Sequence, residues 1–230
     1  MEGLRSERDG AFLHERVLRD HGGSAVQRAL CRMRRGGIWK GWGRMERQEK
    51  TKYRLAEAAR ECLKTTPVDS LTVTQIVNTC GIARQTFYRS FLDKYDLINW
   101  YFGKLLLESF AQMGDGEAIR ESLTKKFEFI LKEQVFFAAA FRSDDRNSLR
   151  QHDYELIFDF YEKLIRRKTG RAPAEEIAFQ LRLYCRGGVD MTVEWLLSPR
   201  RVSPQRLAAL MVEAMPQKLS RLFAELGILG

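Results

Sequence analysis

The chain has 230 residues, of which 44% are hydrophobic and 30% charged, enough for one large domain or two small domains with a buried core. Its net charge of +9 suits a polyanionic partner, and its four cysteines lack the CxxC spacing of a zinc site or the pattern of a disulfide framework. The sequence has neither a long apolar run nor the apolar core of a secretory signal, so we expect a cytoplasmic protein without membrane contact.

Residues 1–44 differ in composition from the rest of the chain. They hold ten Arg and Lys against five Asp and Glu, together with two glycine pairs. Because sustained helical periodicity is absent, we expect this extension to be disordered. One interpretation is a basic arm that follows DNA phosphates. The other is that the segment is not part of the natural protein, since a well-formed helical pattern begins at Met45.

The pattern over residues 45–64 is followed by two short helical patterns separated by a glycine. Thr72, with Gln75 three residues later, predicts a capping box at the start of the first short helix. Gly81 predicts the left-handed residue that ends this helix. The second short helix, over residues 83–90, would bury Phe87 and leave a polar outer face that comprises Arg84, Gln85, Thr86, Tyr88 and Arg89. This arrangement is typical of a helix-turn-helix whose second helix enters the DNA major groove; a plain helical hairpin is the alternative.

Further helical patterns fill the remaining chain. Asp93 is expected to cap a helix that runs to about residue 113. Later helices are expected over residues 118–134, 135–141, 148–168, 174–197 and 203–226. Pro173 would stand in the first turn of its helix, and Pro216 would kink or split the last one. Because strand-like alternation is nearly absent, we expect an all-α protein of about nine helices. A three-helix helix-turn-helix head would occupy residues 45–103, and a helical effector-binding and dimerisation domain would occupy residues 104–230.

The run from Thr72 to Leu97 resembles the N-terminal signature of the tetracycline-repressor (TetR) family of bacterial transcription regulators. A threonine opens the first short helix, a glycine fills the turn, Thr-Phe-Tyr stands in the second helix, and Phe-x-x-Lys-x-x-Leu follows, all at the family's spacing. The amino-acid sequence of the motif is similar to that found in the branch of the family that includes regulators of dihydroxyacetone-kinase operons. Ala83 departs from the family pattern, which often has a capping Ser or Thr there. Thr79 or a DNA phosphate would then have to satisfy the first amides of the second helix.

The resemblance implies roles for individual residues. The groove-facing residues would be Arg84, Gln85 and Thr86, with Arg89 on the same outer face. The residues that contact backbone phosphate would be Tyr88 and Lys94, with Thr72 or Thr74 from the preceding helix. The chemistry agrees, because Arg and Gln read guanine and adenine edges, whereas Tyr, Thr and Lys suit phosphate oxygens.

For the C-terminal region, the resemblance implies a homodimer that pairs through the helices at about 174–197 and 203–226. Both helices carry more apolar residues than a small core needs. The Gly187-Gly188 pair is compatible either with the close approach of two helices or with a local helix break.

Aromatic residues in the middle of the chain indicate either an inducer pocket or ordinary core packing. The candidate pocket residues are Phe127, Phe137, Phe141, Phe158, Tyr161 and Trp195.

We therefore expect a sequence-specific DNA-binding regulator of transcription, a repressor, controlled by an effector bound in its C-terminal domain. One alternative is control by a partner protein that acts as a co-activator. Another is a helical interaction protein that does not bind DNA. No enzyme activity, metal or cofactor is expected, because the three histidines are scattered and GxSxG, P-loop and GxGxxG strings are absent from the sequence.

Overall fold

The computed structural model describes residues 47–143, 145 and 148–229, which form ten α-helices and one 3₁₀ turn. The helices are α1 (Arg47–Cys62), α2 (Val73–Cys80), α3 (Arg84–Tyr88), α4 (Lys94–Ser109), α5 (Ile119–Lys132), α6 (Gln134–Phe141), α7 (Leu149–Thr169), α8 (Glu175–Leu197), α9 (Pro204–Glu213) and α10 (Gln217–Glu225). The 3₁₀ turn, Val68–Ser70, lies between α1 and α2. The all-α expectation is confirmed. The predictions for residues 1–44, and for a helix start at Met45, lie outside the described residues.

Helices α1–α3 form the head of the molecule. Helix α1 packs against both α2 and α4, and α2 packs against α3. Their apolar faces meet in a small core in which Leu55, Ile76, Phe87 and Leu97 are fully buried. This core fixes α3 against α2, so the orientation of the outer face of α3 follows from the packing of its inner face.

Helix α4 connects the head to the remaining helices, because it packs on α1 at one side and on α5 and α7 at the other. The domain boundary that we expected after residue 103 therefore falls inside a continuous helix, Lys94–Ser109. Beyond it, α5 packs on α9, and α8 packs on α6, α7 and α10.

The helix ends largely follow the local signals in the sequence. The Asp93 carboxylate accepts the Asp96 amide at the start of α4, at 2.8 Å. Gly170 ends α7 with a φ of 75°, a left-handed conformation that favours glycine. Pro216 separates α9 from α10, as predicted. The placement of Pro173 was wrong: Ala174 is the N-cap of α8, so the proline precedes the helix instead of occupying its first turn.

Helix α8 runs unbroken through Gly187 and Gly188, so the prediction of a local break there was wrong. A Cβ atom added at either glycine would have no neighbour within 4 Å outside its own helix. Within the described residues, then, no other element approaches these glycines closely. Gly187 is exposed, so the open space beside it is available to a second molecule, whereas Gly188 lines an interior cavity.

Candidate nucleic-acid interface

The start and end of α2 have the predicted geometry. The Thr72 hydroxyl accepts the Gln75 amide at 3.2 Å, and the Gln75 side chain accepts the Thr72 amide at 2.8 Å, which together make a capping box. Gly81 ends the helix with a φ of 64°, and the Ile82 amide then bonds back to the Val77 carbonyl at 3.0 Å. These contacts fix the turn that leads into α3.

Helix α3 is shorter than predicted and spans Arg84–Tyr88. Its C-terminal end tightens because the Ser90 amide bonds to the Phe87 carbonyl, three residues earlier, at 2.8 Å. Phe87 is fully buried, as predicted, and its ring centroid lies 5.8 Å from that of Phe91, which is buried as well.

The outer face of α3 is polar and open to solvent. Its exposed side chains are Arg84, Gln85, Tyr88 and Arg89, whereas Thr86 is half-buried. A guanidinium nitrogen of Arg84 lies 3.3 Å from the Tyr88 hydroxyl, and the Arg84 guanidinium carbon lies 5.6 Å from the centre of the Tyr88 ring. The two side chains therefore stand together on the face that a DNA groove would meet.

The amides at the N terminus of α3 receive no side-chain cap. Ala83 occupies the N-cap position with an extended backbone, φ −64° and ψ 140°. Thr79, the alternative acceptor for these amides, receives none of them among the described residues: its hydroxyl donates to the Gln75 carbonyl at 3.0 Å and lies 3.3 Å from the Cys62 sulfur. The idea that Thr79 replaces the missing cap was therefore wrong.

Lys94 lies at the start of α4, where its ammonium group donates to the backbone carbonyls of Asp69 and Leu71 at 2.7 and 2.9 Å. The ammonium has three N–H donors, so one remains for a further acceptor. Lys94 thus holds α4 against the segment that precedes α2.

A side-chain network continues from this point. The Asp69 carboxylate accepts from the Ser143 hydroxyl at 2.5 Å and from the Tyr95 hydroxyl at 3.1 Å. These hydrogen bonds, Ser143 first, and the nearby Lys94 charge lower the pKa of the Asp69 carboxyl. This contact is not predictable from the sequence, because no local pattern connects residues 74 positions apart.

A second link joins the head to the helices beyond it. Arg60 of α1 donates to both carboxylate oxygens of Glu133, between α5 and α6, at 3.2 and 3.1 Å. The hydrogen bond to Glu133 raises the pKa of the Arg60 guanidinium. Together with Ser143 and Asp69, this pair brackets α6 with two polar contacts to the head.

The aromatic residues proposed for an effector pocket are only partly brought together. Phe127 and Tyr161 line an interior cavity of about 30 Å³. Phe137 and Phe141 pack instead around Phe102, with ring centroids 5.4 and 6.0 Å from it.

The remaining two candidates lie outside that cavity. Trp195 packs against Phe127 at 5.6 Å, and its indole nitrogen donates to the Val202 carbonyl at 2.8 Å. Phe158 is half-buried and stacks on Tyr154. A water molecule needs about 10–15 Å³ of cavity volume, so the interior cavity that Phe127 and Tyr161 line has room for about two water molecules.

A buried ion pair stands beside this cavity. Lys126, which is 5% exposed, donates to both carboxylate oxygens of Asp153, which is 0% exposed, at 3.0 and 3.1 Å. Burial raises the pKa values of the nearby Tyr161 and Tyr184 hydroxyls, so both are neutral at neutral pH. The cavity is thus an apolar space with a few buried polar groups on its wall.

His152 on α7 is mostly buried, and its Nε2 atom has no hydrogen-bond partner among the described residues. Burial, opposed by the charges of Asp153, Glu155 and Asp96, lowers the pKa of its imidazole. Across the described part of the chain, no group of His, Cys, Asp and Glu is arranged to hold a metal ion. The described helices also include none that is long and apolar enough to cross a membrane.

Comparison with known families and structures agrees with this architecture. Residues 55–100 match the family described as bacterial regulatory proteins, tetR family, and residues 117–217 match the family described as a transcriptional regulator C-terminal region. None of the curated protein sequences matches the chain.

Two solved structures share the fold. One is the dihydroxyacetone kinase operon activator DhaS, with a TM-score of 0.53 and 19% identity over 78% of this chain and 97% of that chain. The other is a TetR transcriptional regulator from Streptococcus agalactiae 2603V, with a TM-score of 0.55 and 19% identity over 74% of this chain and 96% of that chain. The two family matches cover both the helix-turn-helix and most of the helices beyond it. This chain therefore belongs to the TetR family of bacterial regulatory proteins and is a DNA-binding transcriptional regulator.

Proposed function

We propose that the protein is a repressor that binds a specific operator sequence as a homodimer and releases it in response to an effector. In this proposal, residues 45–103 bind the DNA, and residues 104–230 form the dimer and receive the effector. The observation that carries the proposal is the geometry of α3, whose buried face is locked by Phe87 while its outer face exposes Arg84, Gln85 and Tyr88.

Base recognition is assigned to the first turn of α3. Arg84 and Gln85 are exposed and can form paired hydrogen bonds with a guanine and an adenine edge, respectively. Thr86 is half-buried, and its short side chain would reach only the nearest base edge. Arg89 lies one turn after Gln85 on the exposed side of the helix. Specificity would therefore come from few residues on one short helix.

Phosphate contacts are assigned to residues around the rim of the same surface. Tyr88 is 47% exposed and presents its hydroxyl beside Arg84. Thr72 and Thr74 are exposed at the start of α2, and Lys94 retains one N–H donor after its two internal bonds. Such contacts hold the protein in register on the duplex without reading its sequence.

The homodimer is supported by a surface on α8. We use the name α8 stripe for Phe179, Leu183, Gly187 and Met191, which recur every four residues. The three side chains are 62%, 61% and 48% exposed, and Gly187 leaves open space between them. Residues spaced by four form the ridge that packs against another helix, commonly at about −50°.

Charge along α8 favours an antiparallel partner. A second row of α8 residues, also spaced by four positions, is charged. Its first half carries Arg182 and Arg186, and its second half carries Asp190 and Glu194. In an antiparallel pair of identical helices, the basic half of one copy faces the acidic half of the other. A two-fold symmetric contact centred near Gly187 satisfies this pattern.

Control by a small molecule would begin at the interior cavity beside Lys126 and Tyr161. A second candidate is control by a partner protein, and the tight interior favours it. A cavity of about 30 Å³ is far smaller than the about 300–1,000 Å³ of typical ligand pockets. An internal effector would have to select a more open arrangement of α5, α7 and α8.

The test is selection of bound duplexes from a random DNA pool with the full chain, followed by gel shifts on the protein's own promoter region. We expect enrichment of a two-fold symmetric sequence and reduced transcription in vitro when the promoter carries it. Failure to enrich any sequence would contradict DNA recognition. Enrichment together with increased transcription would contradict the repressor assignment alone.

A further inference from the structure

A surface groove of about 410 Å³ opens where the C-terminal end of α1, helix α6 and the C-terminal end of α8 meet. Its size falls within the range of about 300–1,000 Å³ that small-molecule sites occupy. The interior cavity, at about 30 Å³, is more than tenfold smaller. The groove therefore has the room for an organic molecule that the interior lacks.

Part of the floor of the groove is apolar, although polar groups make up more of its exposed lining. Val135, Ala138 and Ala139 line it from α6, with Leu63 and Leu196 beside them. Val135 is 51% exposed, and the small side chains of the two alanines leave the groove open beside it. A bound apolar group would remove this surface from water, which contributes roughly 25 cal/mol for each Å² covered.

The rim of the groove is positively charged. Lys64, Arg142 and Arg201 line it, and all three are exposed. Lys64 already pairs with Glu61 at 2.6 Å. The guanidinium groups of Arg142 and Arg201 have no carboxylate partner among the residues that the structure describes, and none of the described lining residues is acidic.

The C-terminal ends of two helices oppose the positive charge of the rim. The C termini of α1 and α8 reach the groove, and each carries a partial negative charge of about half a unit. The two full guanidinium charges, for which the described residues offer no carboxylate partner, together outweigh these partial charges. The electrostatic preference of the groove is therefore for an anion.

We propose that this groove binds a small amphiphilic carboxylate. The apolar body lies against Val135, Ala138 and Ala139, and the carboxylate is held by Arg142 and Arg201, whose planar guanidinium groups match it with paired hydrogen bonds. Such a ligand contacts α1 and α8 at once, and so connects the head to the helices of the C-terminal region. The inference does not rest on the proposed DNA recognition, because its test contains no DNA.

The test is isothermal titration calorimetry on the full chain with three probes below their micelle concentrations. Octanoate has both the tail and the charge, octyl glucoside has the tail alone, and acetate has the charge alone. We expect saturable binding of one octanoate per chain and at least tenfold weaker binding of the other two. Absence of saturable octanoate binding, or equal binding of octyl glucoside, overturns the proposal.

Matched variants locate the site. Arg142→Gln combined with Arg201→Gln is expected to weaken octanoate binding about tenfold, equivalent to about 1.4 kcal/mol. The control pair, Arg171→Gln with Arg221→Gln, removes the same charge from exposed positions outside the groove and should leave binding unchanged. Equal weakening by both pairs would mean a general charge effect and overturns the site.

A third variant fills the groove and leaves its charge intact. Ala138→Phe places a ring in the space next to Val135 and is expected to abolish octanoate binding. A thermal unfolding midpoint near that of the wild type shows that the variant is folded. Unchanged binding in the folded variant overturns the assigned location.

Discussion

The Ser143 hydroxyl donates a 2.5 Å hydrogen bond to the carboxylate of Asp69, although 74 residues separate the two in sequence. Ser143 is 2% exposed and follows α6, whereas Asp69 lies in the 3₁₀ turn that precedes the helix-turn-helix. Lys94 and Tyr95, at the start of α4, bond to the same turn. This contact therefore joins the C-terminal helices to the segment that positions α2.

Removing the donor should loosen this junction. Ser143→Ala is expected to lower the free energy of unfolding by about 1 kcal/mol, because the Asp69 side of the contact is exposed and partly screened. Urea unfolding at pH 7 measures the loss. Ser109→Ala is the control, since among the described residues its hydroxyl bonds to the Leu105 carbonyl of its own helix and to no other group.

The stability difference between the wild type and Ser143→Ala is expected to depend on pH. The pKa of Asp69 is lowered in the folded state, chiefly by Ser143, so the stabilisation is present above the unfolded pKa of about 3.9. It is lost as the pH falls through the lower folded value. The difference between wild type and Ser143→Ala should therefore shrink below about pH 4; a difference that stays constant to pH 3 would contradict this account.

Breaking the buried ion pair from one side should be costly. Asp153→Asn leaves the Lys126 ammonium buried without its counter-charge and is expected to cost about 3–5 kcal/mol. The double change Lys126→Met with Asp153→Leu removes both charges and should recover most of that loss. Asp159→Asn, which breaks the solvent-exposed pair with Lys163, is the control and should cost about 0.5 kcal/mol or less. A similarly small loss of stability for Asp153→Asn would contradict the assignment of Lys126 and Asp153 as a buried ion pair.

Gly187→Leu separates dimerisation from folding. Within one chain a Cβ atom at position 187 meets nothing within 4 Å, and replacing a helical glycine should stabilise the helix by about 0.8–1 kcal/mol. Across the α8 stripe, however, it blocks close approach of a second copy. Sedimentation velocity over a concentration series should show a dimer for the wild type and a monomer for the variant.

Lys132→Leu adds the same side chain at an exposed position on α5 and is the control for that experiment. It should sediment as the wild type does. A Gly187→Leu protein that remains dimeric at the same concentrations would place the interface elsewhere.

Ala83→Ser should stabilise the head. The backbone at this position already has the extended conformation of an N-cap but lacks a side-chain acceptor. A serine hydroxyl there can accept an amide of the first turn of α3, with an expected gain of about 1 kcal/mol in unfolding free energy. Ala83→Val, which offers no acceptor, should give no gain in the same urea titration. Equal effects of Ser and Val would mean that capping is not the cause.

Features set by neighbouring residues were predictable from the sequence. The capping box of Thr72 and Gln75, the left-handed Gly81 and the burial of Phe87 all follow from local spacing. The polar face of α3 followed from the same helical period. The length of α3 was overestimated because tightening of its last turn depends on how Phe87 and Phe91 pack.

Contacts between distant segments were not predictable in the same way. The pairs Ser143 with Asp69 and Arg60 with Glu133 lie at the two ends of α6, where the tertiary fold brings distant residues together. The aromatic candidates come from four helices, and Phe137 and Phe141 face α4 whereas Phe127 faces the interior cavity. Periodicity identifies a buried face, but it does not say which neighbour covers that face.

The most direct measurement is the affinity of the wild type, Gln85→Ala and Tyr88→Phe for the enriched duplex and for each of its single-base variants, by fluorescence anisotropy at fixed salt. Gln85→Ala should lose about 1–3 kcal/mol and no longer discriminate at one base pair of each half-site. Tyr88→Phe removes the hydroxyl that we assign to a phosphate contact and should weaken all duplexes alike. If both variants bind every duplex as tightly and as selectively as the wild type, α3 does not read the operator, and the central claim is contradicted.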